Sequence, residues 1–279
     1  MIPVARAYLV LYFGLAIPLA WLFWIPLTLI NRGIWTPPVS VPAIVWSTLG
    51  AISPLVTLGV IQRVSHHAVT LKGIFSNVRW KEARSSWTLA SPFVVLGIYL
   101  VTAAGGATVA FAREPNAWPW HLFRPDVFST LNWWILLVIP MHFLPSLLTS
   151  PLFEEPGWRG FAFENLQRYL PRDIASLIVG SYWWLWHQGM NLAFGLNPSL
   201  FGYLSMLLDS FAIDALYSLS NRNLLAAMLA HQAMGTIFVF LSPLPALWYI
   251  LVFKAAAVAF LRYQAGRRGS ITGRFRFDK

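Results

Sequence analysis

Long apolar runs, broken by short polar or Pro-containing stretches, dominate the chain. The first covers about residues 8–30. A turn through Asn31 and Pro38 leads to a second, about 39–61. A polar loop, 62–86, separates it from a third run at about 87–111. A Trp- and Pro-rich connection, 112–131, precedes a fourth at about 132–153, which runs straight into Glu154. Further runs cover about 173–194, 200–220, 224–240 and 244–263. Each run approaches the ~20 residues that a helix needs to cross a bilayer. The pattern predicts an all-α polytopic membrane protein with about eight transmembrane helices, and residues 156–170 as an amphipathic or half-membrane segment. The first run is too long for a signal-peptide core and lacks a small-residue cleavage site, so we read it as retained.

Composition sharpens this reading. The chain has 279 residues, of which 57% are hydrophobic and only 11% charged. A soluble domain carries about 25% charged residues. With no internal repeat and no soluble segment, residues 1–279 read as one integral membrane domain. There is no cysteine, which excludes disulfides, thiolate metal sites and cysteine nucleophiles.

The net charge of +10 would suit nucleic acid in a soluble protein, but here it reports topology. With both termini cytoplasmic, the outer segments carry only Arg32, Arg113 and Arg124. Lys254 lies within the last run, and every other Lys and Arg falls on the inner side. This is the positive-inside asymmetry. We therefore expect an integral membrane protein with both termini cytoplasmic, in contact with the lipid bilayer and with no nucleic acid.

Ionisable residues inside a bilayer are costly and mark function by default. Those in or beside the runs are Glu154, Glu155, His187, Asp209, Asp214, His231 and Lys254; His142, among apolar neighbours, reads as a packed core residue. Pro156 suits the first position of a helix. It would put Glu155 at the N-cap and Arg159 one turn on, spaced for an ion pair. Glu154, with no such partner, is free to act as a base. His187 follows Trp183 by one turn, and His231 lies on a later run. Two histidines and a carboxylate pair converging on one water would suffice for hydrolysis without a nucleophilic side chain. His-Glu-x-x-His and Gly-x-Ser-x-Gly are both absent. Asp209 and Asp214, five residues apart, point in different directions on a helix. Their expected partner is Lys254, and a transporter using these three residues is an alternative function.

The series Glu154-Glu155-Pro156-Gly157-Trp158-Arg159, Trp183-x-x-x-His187 and His231-x-x-x-Gly235 resembles the CPBP intramembrane proteases, which include CAAX endopeptidases and bacteriocin-processing or self-immunity proteins. The resemblance covers a motif-bearing core of about 134–251. It implies an eight-helix bundle with a cavity open to the cytoplasm and an endopeptidase acting on a peptide or membrane-protein substrate. By the motif, Glu154 is the general base and His187 holds the water. Glu155 and Arg159 support the site, and His231 forms part of the oxyanion hole.

Two features complicate the match. The family's oxyanion Asn falls at position 235, which is Gly here. Asn191, one turn after His187, is the proposed replacement; alternatively the protein is a weak or inactive immunity or regulatory member. Second, Glu154 at the inner end of its run meets His187 only if the fifth helix starts deeper, after Ser176, or if 156–170 re-enters the membrane. No cofactor is expected; the alternative is Zn²⁺ on Glu154, His187 and His231.

Overall fold

The computed structural model describes residues 6–38, 41–82, 86–113, 135–240 and 248–271. Among them the structure is helical throughout, with no strand. The helices are α1 (Arg6–Asn31), α2 (Ala43–Ala51), α3 (Ser53–Val64), α4 (Leu71–Phe75), α5 (Ser86–Arg113), α6 (Ile135–Leu147), α7 (Ser150–Gly157), α8 (Arg172–Ala193), α9 (Leu200–Leu219), α10 (Leu224–Phe240) and α11 (Trp248–Ile271). The predicted polar connection 112–131 lies almost wholly outside the described residues.

Two predicted runs are each split into a pair of helices. The second breaks at Ile52 into α2 and α3, bent by 42°. Pro54, in the first turn of α3, explains the break, because it has no N–H for the α2 ladder. The fourth breaks between Leu147 and Ser150. Its second half, α7, starts behind Thr149, with Pro151 in the first turn. Glu154 and Glu155 therefore sit inside a helix already under way. Pro156 lies within that helix rather than opening a new one. Past Pro156 the coil widens into a π-helical segment, Trp158–Phe163, and closes as Glu164–Leu166. A buried proline cannot donate to the preceding turn, and a widened turn is one way a helix absorbs that loss.

Among the described residues three helical stretches, Arg6–Asn31, Trp87–Val109 and Leu200–Leu219, are long and apolar enough to cross a membrane; the bent α2–α3 pair, taken as one span, makes a fourth. The motif-bearing helices α7, α8 and α10 are outside this set. Helices α7 and α10 are too short to count, α10 being apolar, whereas α8 is long enough but carries polar and charged residues.

Helix α8 packs between α1 and α9, and α10 packs against α5, α7 and α9. Closing the bundle, α11 contacts α5 and α9. Gly180 permits the α8–α9 contact: a Cβ there would fall 2.8 Å from Leu207 and 3.0 Å from Ser210. The two helices run antiparallel, with Ser181 and Trp184 of α8 against Tyr203 of α9 and Gly180 against Ser210. The apolar core continues around them through Tyr12, Trp24, Trp158, Trp186 and Tyr217, all fully buried.

Candidate active site

Glu154 lies one helical turn after Ser150, whose hydroxyl donates to its Oε1. From α8, the Trp183 indole N–H donates to Oε2 at 2.9 Å. The carboxylate is only 2% exposed, and both its oxygens are engaged. A buried carboxylate is tolerable only with such partners.

Glu155 is fully buried and does different work. Arg159 Nη1 donates to its two oxygens at 3.0 and 3.2 Å, so the predicted ion pair is present. The ring Nδ1 of His231 lies 2.7 Å from Oε1. Arg159 makes further contacts to α9: Nε donates to Asp214 at 3.0 Å, and Nη2 to the Ser210 hydroxyl at 2.8 Å.

The histidines meet around Trp183. His187 Nδ1 lies 2.9 Å from the Trp183 carbonyl. A carbonyl only accepts, so Nδ1 carries the proton and Nε2 presents its lone pair. The Trp183 ring makes edge contacts with both histidines, each with centroids 5.2 Å apart. Its face also receives the Arg159 guanidinium at 5.1 Å. Trp183 thus touches Glu154, Arg159, His187 and His231, and is buried in the site rather than placed in an interfacial belt.

Glu154 and His187 are linked through Trp183, which bonds to the first and packs against the second. Helix α8 begins at Arg172, not after Ser176. The break before Ser150 places Glu154 within α7, and the Trp183 indole spans the gap to α8.

Asp214 corrects another expectation. Lys254 pairs with Asp209 alone, at 2.8 Å, in a network with Tyr99 and Ser205. Asp214 pairs with Arg159 instead. Sequence reasoning missed it as a site residue, although its five-residue offset from Asp209 already said that the two cannot face one lysine.

Of the side-chain amides next to the two histidines, Gln188 donates to the Trp184 carbonyl and Gln232 to Thr236. Asn191 is partly buried one turn beyond His187. At Gly235 an added Cβ would meet nothing within 4 Å, so the position opens on space. An apolar cavity of about 320 Å³ lies where Leu147, Leu148 and Leu152 approach Leu225 and Met228, beside the α6–α7 break and one turn before His231.

Among the described residues no three His, Asp or Glu side chains are grouped to hold a metal ion. Glu154 is committed to Ser150 and Trp183, and His231 Nδ1 to Glu155.

Residues 131–237 match the family of type II CAAX prenyl endopeptidases, Rce1-like. The matched segment coincides with the part of the chain that carries the motifs resembling CPBP intramembrane proteases. Over 49 residues it is 47% identical to CAAX prenyl protease 2 of Methanococcus maripaludis. That alignment spans 18% of this chain and 17% of the relative's length. The matched segment contains Glu154, Glu155, Arg159, Trp183, His187, Asn191 and His231, whereas α1 to α5 and α11 lie outside it.

Proposed function

We propose that this protein is a glutamate-type intramembrane endopeptidase, hydrolysing a peptide bond of a peptide or membrane-protein substrate near the cytoplasmic interface. The observation that carries the reading is the Trp183 hub, which holds the Glu154 carboxylate while touching both histidine rings. Glu154 takes a proton from water as the oxygen attacks the scissile carbonyl. His187 accepts the water's second hydrogen through Nε2 and orients it. His231, held at Nδ1 by Glu155, donates from Nε2–H to the developing oxyanion in its doubly protonated form. Asn191 adds a second donor. Glu154 then passes its proton to the departing amine, which closes the cycle without a metal.

The eight-span layout belongs to the same proposal. In it, α2–α3 is one bent span, α6–α7 another, and α8 to α11 one each, with both termini and the site's opening on the cytoplasmic side. The apolar cavity at the α6–α7 break would take an apolar portion of the substrate.

A second reading is favoured by one observation, the side-chain-free Gly235. Here the same fold is catalytically weak and acts as an immunity or regulatory membrane protein. Comparing membrane peptides from cells with wild type and with Glu154→Ala separates the two. A peptidase leaves substrates that accumulate only with the variant; identical peptide profiles would favour the weak member.

A further inference from the structure

Asp214 and Ser210 lie outside the family motifs, yet they hold two of the three edges of the Arg159 guanidinium. The third edge faces Glu155. A guanidinium is a rigid planar fork, so fixing two edges fixes the direction of the third. Glu155 Oε1 is shared between Arg159 and His231 Nδ1. The rotation of the His231 ring is therefore set through a continuous series of contacts of 3.0 Å or less, from Asp214 to Arg159, Glu155 and the ring. Asp214, Arg159 and Glu155 are each 0% exposed, and Ser210 is equally buried. Asp214 Oδ1 takes the Arg159 Nε–H, the closest cationic contact to this buried carboxylate, with Ser176 and Arg172 also beside it.

We infer that Asp214, with Ser210, is a positioning residue of the proposed peptidase. Helix α9 aims Arg159, and through Glu155 it orients the His231 ring toward the scissile carbonyl. The inference rests on the hydrolytic reading for its kinetic consequence but not for its geometry. A ring displaced by about 1 Å costs on the order of 10²-fold in rate.

The test uses full-length protein in detergent or nanodiscs, with ¹⁵N-labelled histidine. The His231 and His187 signals are assigned by His231→Gln and His187→Gln. Asp214→Asn keeps a carbonyl acceptor for Arg159 Nε but loses the charge; Asp214→Ala loses both. We expect the His231 ring signals to shift in Asp214→Ala, and less in Asp214→Asn, while those of His187 stay in place. In the peptidase assay kcat falls by roughly 10²-fold in Asp214→Ala, with KM within about twofold, and Asp214→Asn restores at least a tenth of wild-type kcat. Should Asp214→Ala not fold, Ser210→Ala carries the same NMR expectation. His231 signals unchanged in the folded variants overturn the inference. Failure of the peptidase reading looks different: wild type cleaves no faster than Glu154→Ala, while the NMR result stands on its own.

Discussion

At the scale of single residues, adjacent carboxylates have been given opposite tasks by their partners. Glu155 is consumed by Arg159 and His231, and Glu154 faces Trp183 and Ser150. Glu154→Gln is therefore expected to lower kcat by about 10²–10⁴-fold, the range for loss of a general base, in a protein that still folds. A steady-state peptidase assay with a circular dichroism control checks both halves. Position 235 makes the complementary prediction. Since a Cβ there meets open space, Gly235→Asn should fold normally. If the oxyanion site lacks a donor, the variant should be faster by up to about 10²–10³-fold. A rate unchanged by Gly235→Asn, but lost with Asn191→Ala, would assign the missing donor to Asn191. The ion pair Glu155–Arg159 was legible in the sequence because spacing of four on a helix fixes proximity. The Asp214 contact was not, because it joins the π-helical segment after α7 to α9 across 55 residues and depends on how the two pack.

The elements show where local rules were outvoted. Pro156 reads as a helix start, yet Thr149 and Pro151 start the helix earlier, and Pro156 is absorbed by the π-helical turn after it. That widened turn carries Arg159 in the heart of the site, where π segments often occur. Gly157, at the entrance to the turn, is required by packing. A Cβ there would lie 2.2 Å from the Tyr12 hydroxyl and 2.9 Å from Pro54. Tyr12 is fully buried on α1, so it has little room to retreat. Gly157→Ala should destabilise the protein by about 1–3 kcal/mol, as overpacking does. Adding Tyr12→Phe removes the clashing oxygen and should recover part of the loss. Thermal unfolding of the single and double variants in detergent measures this, and no recovery would locate the strain at Pro54 instead. The contact also shows what α1 does although it carries no motif: it closes the back of the site helix.

Over the whole molecule, apolar periodicity gave the order of the helices correctly, because burial in lipid or in a bundle both demand apolar runs. It gave the breaks less well. Those at Ile52 and before Ser150 depend on prolines whose effect on a run is not visible in mean hydropathy. Orientation rests on charge alone, so it needs a direct measurement, and the absence of native cysteine makes one straightforward. Single cysteines at Lys81, in the basic inner loop, and at Leu196, between α8 and α9, lie at exposed positions on opposite predicted sides. A membrane-impermeant maleimide should label Leu196→Cys in intact cells and Lys81→Cys only after the membrane is opened. The reverse pattern would turn the bundle over, placing the α7 site and its substrate on the outer face. Labelling of both in intact cells would place residues 62–82 and the α8–α9 loop on one side, which the alternation of spans forbids. Since the catalytic reading requires water and peptide to reach Glu154 from the cytoplasm, this experiment tests the proposed substrate compartment before any substrate is known.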